Sequence, residues 1–99
     1  MWINNIYWLG HDIGRLHLNL VNGEKTSALS HIMAICIDIE GIEDGLDMDA
    51  TELKASVEKY GRYLESLDDV KTPGVLDKYF DMVCNPVESF IYPLFKREN

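Results

Sequence analysis

A histidine beside an aspartate, His11-Asp12, sits between Gly10 and Gly14. An imidazole next to a carboxylate is a workable general base. Nothing else in the chain completes a reaction centre. There is no G-x-S-x-G elbow, no glycine loop to cradle a phosphate and no H-E-x-x-H pair. The two remaining histidines, His17 and His31, fall on opposite faces of the sheet in the reading developed below, so they could share a metal only across a bulge. No catalytic residue and no metal site is therefore assigned, and no cofactor is expected. An enzyme using His11 and Asp12 ranks behind two binding readings.

The second stretch with chemical potential is acidic. Residues 38–52, DIEGIEDGLDMDATE, carry Asp38, Glu40, Glu43, Asp44, Asp47, Asp49 and Glu52 with no Lys or Arg among them. The basic residues stop at Lys25 and resume at Lys54. Like charges left without counter-ions inside a chain point to a basic partner outside it. Close charge pairs at such an interface speed encounter and can each contribute a few kcal/mol. Asp38, Glu40, Glu43, Asp44, Asp47 and Asp49 are the expected charged contacts, with Trp2 and Trp8 as apolar anchors. Calcium is a second use for Asp44, Asp47, Asp49 and Glu52, but their spacing fails the EF-hand pattern. Mimicry of DNA phosphates is a third, and seven charges on one loop are few for it. A merely solvated connection accounts for Asp49 and Glu52, which favour a helix N-terminus, but not for the five acids before them.

Composition narrows the class. Seventeen acids against nine bases give a formal charge of −8. That argues against direct nucleic-acid or anionic-membrane binding, both of which call for Lys and Arg. Ninety-nine residues with 46% hydrophobic content suit a single compact domain over 1–99 with its own core. Cys36 and Cys84 lie in apolar stretches with no C-x-x-C spacing, the pattern of reduced thiols in a cytoplasmic protein. The opening MWINNIYWLG lacks a basic start and a long apolar run, so no signal peptide is expected. No apolar run approaches the ~20 residues of a membrane span.

The elements that would position these residues divide at the acidic stretch. Trp2–Leu9 is rich in Trp, Ile and Tyr and reads as a strand. Arg15–Val21 alternates, with Leu16, Leu18 and Leu20 on one face and Arg15, His17 and Asn19 on the other. Asn22-Gly23 is the preferred pair for a type I′ hairpin turn. Its register sends Leu29, His31, Met33, Ile35, Ile37 and Ile39 to the leucine face, giving a long third strand ending near Glu40. A helix over Ser27–Glu40 competes with this. The isoleucines lower helix propensity, and Asp38 and Glu40 would oppose the dipole at the helix end.

After the acids, Asp49 and Glu52 have capping-box spacing. Leu53, Val57, Tyr60, Leu64 and Leu67 follow as an apolar helical stripe. Thr72-Pro73 opens a second helix with Leu76, Tyr79, Phe80 and Val83 inward, and Asn85-Pro86 ends it and starts a third.

The expected fold is α+β: an N-terminal three-stranded antiparallel meander with two or three C-terminal helices on one face. Its core holds Leu16, Leu18, Leu20, Ile35, Ile37, Leu53, Val57, Tyr60, Leu64, Leu76, Phe80 and Val83. The expected function is a non-enzymatic protein-binding module. In its most concrete form this is an inhibitor of the immunity or anti-defence type, covering a basic surface on a nuclease or other nucleic-acid-binding partner. The alternative is an accessory subunit that forms a homodimer through its N-terminal strand or aromatic residues.

Overall fold

The expected N-terminal sheet is replaced by helix. The computed structural model describes residues 2–98, with side chains described over 3–94. Among the described residues there is no strand. Helix α1 spans Trp2–Asn22, α2 spans Lys25–Leu46 and α3 spans Thr51–Glu65. Helix α4 is α-helical over Val75–Tyr79, π-helical over Phe80–Cys84 and α-helical again over Asn85–Glu98. The α+β assignment is thus corrected to an all-α one.

The reason is a stripe longer than the alternation. Ile6, Leu9, Ile13, Leu16 and Leu20 recur at 3-4-3-4 spacing, one face of a helix. Leu9, Leu16 and Leu20 are buried, with Ile6 and Ile13 packed against them. Two residues along a helix is about 200° around it. Leu18, expected to share the leucine face, therefore points the other way and is 49% exposed.

In α2 the same spacing is carried by Ala28, Ile32, Ile35, Ile39 and Ile42, all buried. Each isoleucine costs the helix a few tenths of a kcal/mol in propensity. Burying its side chain returns about 1.5–3 kcal/mol, so packing wins. The dipole objection moves along the chain: Glu43 and Asp44 occupy the last turn, and Glu43 is paired there with Lys54 from α3 at 2.6 Å. The helix runs on to Leu46, leaving Asp38 and Glu40 outside the last turn, where that effect acts. Ile37 is lost from the expected core and stands 63% exposed.

Asn22-Gly23 does reverse the chain, but as a helix end. Gly23 takes φ 74°. Glu24 N–H donates to Asn19 O at 2.8 Å and Gly23 N–H to Leu20 O at 3.2 Å, the two bonds of a Schellman motif. The reversal lays α2 back along α1, and α2 also packs on α3, so it is the central helix.

The expected stripe of α3 holds: Leu53, Val57, Tyr60 and Leu64 are buried and Leu67 packs against the core. Gly61 has a local reason, since a Cβ there would meet Ile32 Cγ2 at 3.2 Å; it lets α3 approach α2. Lys25 Nζ donates to Glu65 O at 3.1 Å and Leu67 O at 2.6 Å. A cation thus meets the carbonyl end of α3, where the dipole favours it.

Helix α4 follows Gly74, at φ 91°. Its inward residues are Val75, Tyr79, Val83, Val87 and Leu94, while Leu76 and Phe80, expected in the core, are 37% and 39% exposed. Asn85-Pro86 does not end the helix. Pro86 has no N–H to offer Met82 O, four residues back. The widened π turn absorbs the ring, and Met82 O accepts instead from Ser56 Oγ of α3 at 2.6 Å. Tyr60 OH donates to Val75 O at 2.9 Å, and Tyr79 OH to Ile13 O of α1 at 3.2 Å.

Ser56→Ala leaves that carbonyl short of a donor and is expected to cost about 1–2 kcal/mol of unfolding free energy. Urea titration followed by far-UV circular dichroism reads the change.

Candidate functional site

The acidic run is drawn out along the end of α2 and the turn into α3, and the fold gives its members different tasks. Asp38 is buried on the α1–α2 seam. It faces Asp12, itself buried, closely enough for one carboxyl to donate to the other. Burial, then the hydrogen bond to Asp12, then the Asp12 charge push Asp38 up to about 7. Its Oδ2 is enclosed without a hydrogen-bond partner among the described residues.

Glu43 reaches forward to α3. Its Oε1 lies 2.6 Å from Lys54 Nζ, and its Oε2 accepts from Ala50 N–H at 2.6 Å. The hydrogen bond from Lys54 holds Glu43 below the usual carboxylate range and raises Lys54 in return. Asp49 Oδ1 accepts from Thr51 N–H at 2.9 Å and Thr51 Oγ1 at 2.6 Å. It therefore serves the first turn of α3, and these bonds lower its pKa. The capping box with Glu52 does not form: Ala50 is the N-cap and makes no side-chain cap bond.

Asp47 ends α2 in the left-handed region at φ 50°, a conformation Asp tolerates better than most residues. Glu40, Asp44, Asp47 and Glu52 are exposed and have no ion-pair partner among the described residues. Of the six expected partner contacts, then, Glu40, Asp44 and Asp47 stand free, while Asp38, Glu43 and Asp49 are engaged inside the chain. No group of three or more His, Cys, Asp or Glu is placed to hold a metal ion among the described residues.

The histidines lie on helices. His11 Nδ1 is 3.5 Å from Asp12 Oδ1, and Trp8 packs edge-on to the His11 ring at 5.4 Å. The Asp12 carboxyl is turned inward to Asp38 and does not activate an open site. His17 stacks on Tyr79 at 5.4 Å with Phe80 at its edge. His31 Nδ1 bonds Asn19 Oδ1 at 2.7 Å and Ser27 O at 2.9 Å. Trp8 is half exposed, and the Trp2 side chain lies outside the described ones. Cys36 and Cys84 are free thiols, and burial with the charges of Glu58 and Glu40 pushes Cys36 up to about 11.

A shallow groove of about 370 Å³ between α2 and α3 escaped the sequence reading. Ile32, Cys36 and Gly61 form its floor, Met33 and Ile37 one wall, and Glu58, Arg62 and Glu65 the other. Glu58 and Arg62, one turn apart on α3, form no ion pair among the described contacts. Met33 is 68% exposed and Ile37 63%. The signal for them was present in the sequence. Once Ala28, Ile32, Ile35, Ile39 and Ile42 are taken as the buried stripe, Met33 and Ile37 are the large apolar residues of α2 left off it.

No protein-family model, no curated protein and no solved structure matches this chain. Among the described residues no helix is long and apolar enough to cross a membrane.

The Asp12–Asp38 seam has a pH signature. Asp38 binds its proton more tightly folded than unfolded, so its contribution to stability is full below the ordinary carboxylate pKa and lost as pH rises through about 7. Thermal melts are expected to show the protein less stable at pH 8 than at pH 5, by about 1–2 kcal/mol after allowing for solvent screening. Asp38→Asn keeps a donor toward Asp12, so it is expected to remove most of that slope and raise the midpoint at pH 8.

Proposed function

We propose that this protein is a non-enzymatic protein-binding module that docks on a basic protein surface through the outer ridge of α2. In its most specific form it is an inhibitor of the immunity or anti-defence type, occluding the nucleic-acid-binding face of a nuclease or similar partner. One observation carries the reading: Met33, Ile37, Glu40 and Asp44 lie in line at 4-3-4 spacing on α2, all exposed, the first two apolar and the last two acidic without ion-pair partners.

Such a ridge offers an apolar anchor at one end and unneutralised charge at the other. An interface uses the first for residence time and the second for steering. Asp47 extends the acidic end, and the α2–α3 groove beside Met33 and Ile37 gives an apolar side chain somewhere to enter. The net charge of −8 raises the encounter rate with a cationic surface and disfavours nucleic acid itself. Occlusion needs no turnover, which suits a chain whose His11 and Asp12 are not arranged around an open site.

The test begins with affinity capture from the native host at low and high salt, followed by stopped-flow binding of the recovered partner. The double variant Asp44→Asn, Asp47→Lys is expected to slow association about tenfold at low ionic strength, with the gap closing as salt is raised. Met33→Ser with Ile37→Ser is expected to speed dissociation and leave association nearly unchanged. Equal rates for wild type and both variants would remove α2 from the interface.

A further inference from the structure

Helix α1 presents a second surface of different character. Its outward side carries Ile3, Tyr7, Leu18 and Val21, each between 47% and 68% exposed. Between the two apolar pairs lie Gly10 and Gly14. At 100° per residue these six positions fall within one arc of about 80°, so they form a single stripe down the helix. Asn4, His11, Arg15 and Asn22 run beside it.

The two glycines have no use inside the chain. A Cβ on Gly41 would enter the Asn5 side chain, one on Gly61 would press on Ile32, and Gly23 and Gly74 need positive φ. A Cβ on Gly10 or Gly14 meets nothing within 4 Å, and both sit mid-helix, where glycine weakens the helix relative to alanine. Glycines one turn apart on a bare face let another helix come close.

Electrostatics selects the occupant. Residues 1–23 contain one acid, Asp12, and one base, Arg15, for a net charge of zero; the other sixteen acids (17 − 1) lie in 24–99. Asp12 is turned inward, so the outward side of α1 presents no carboxylate. A basic partner gains nothing there. A second copy, carrying −8, is repelled by the acidic ends of α2 and α3 but meets no like charge on this stripe. An isologous contact places the stripe against itself, with glycine facing glycine and the apolar pairs on either side.

We infer that this face of α1 is a homodimer interface, in which two copies cross at Gly10 and Gly14. The earlier expectation of self-association through an N-terminal strand is thereby replaced by a helix-to-helix contact. The stripe is about 27 Å long, so the pair buries roughly 1,000 Å² in total, at the small end of specific interfaces. Because α2's outer ridge lies on a different helix, the dimer leaves it free.

Sedimentation equilibrium on the full chain from about 1 to 500 µM tests this. The weight-average mass is expected to rise from 11.4 kDa toward twice that value, and not to fall back between 50 and 500 mM salt. Gly10→Gln with Gly14→Gln keeps the helix, since glutamine is the better helix former and the space is open. It is expected to weaken the dimer at least tenfold while the thermal midpoint of the monomer holds or rises. Leu18→Glu is expected to abolish the dimer, and Met33→Ser with Ile37→Ser to leave it unchanged. A mass fixed at 11.4 kDa over the whole range would overturn the inference, as would a glutamine double variant with wild-type association. Flotation with phosphatidylcholine vesicles that is lost in the glutamine variant, without any dimer in solution, would reassign the face to lipid and overturn it too.

Discussion

Helix α2 has to be buried on two sides at once, against α1 and against α3, and much of the molecule follows from that demand. Its stripe of Ala28, Ile32, Ile35, Ile39 and Ile42 fills the space between its neighbours. Gly61 is where α3 must come close, and Asn5 packs where Gly41 gives it room. Asp38 falls on the side of α2 that packs against α1. Its carboxyl is therefore turned into a seam beside Asp12, where burial pushes it up to about 7. A charged pair there would cost several kcal/mol to desolvate; a shared proton avoids most of that cost at the expense of tying the seam to pH.

How much of this could be read from the sequence depended on the length of the window. In α3 the polar residues separate the apolar ones cleanly, so Leu53, Val57, Tyr60 and Leu64 identify the helix and its inward face correctly. In α1, the five residues Leu16 to Leu20 alternate perfectly and suggest a strand. The decisive pattern, Ile6 to Leu20, spans four turns and shows only when the window is widened. In α2, nearly every residue from Ala34 to Ile39 is apolar, and period is ambiguous in such runs. Propensity alone points to the wrong element there, because each isoleucine loses only tenths of a kcal/mol in a helix while its burial returns about 1.5–3 kcal/mol. Asn22-Gly23 does reverse the chain, but only Gly23 takes positive φ, and it closes a helix rather than a hairpin. The same left-handed glycine that closes a type I′ turn also closes a helix, so the dipeptide fixes the reversal and not the elements it joins.

The acidic run was legible as an anomaly but not as a site. Seven carboxylates with no base in the interval are plain from the sequence. That Glu43 reaches Lys54 across the α2–α3 turn is not, because the pair is formed by folding. Asp38 is taken into the seam, while Asp49 stays exposed with one carboxylate oxygen held by Thr51. What remains outward without a hydrogen-bond or ion-pair role among the described residues is Glu40, Asp44, Asp47 and Glu52, with Asp49 exposed beside them, and Met33 and Ile37 are exposed on the same helix as Glu40 and Asp44. In the proposed interface the apolar neighbours supply the anchor and the remaining carboxylates the steering charge.

Charge also sorts the two faces by the partners they admit. All but one of the acids fall after Gly23, so the molecule is a neutral helix joined to an acidic body. An interface formed by the body depends on ionic strength, because its attraction comes from carboxylates in water. An interface formed by α1 does not, because it offers apolar area and bare backbone to a close neighbour. Gly10 and Gly14 make that asymmetry physical. They weaken the helix in the isolated chain, with no turn, clash or left-handed φ to require them, and only contact with something beyond the chain turns that weakness into closer packing.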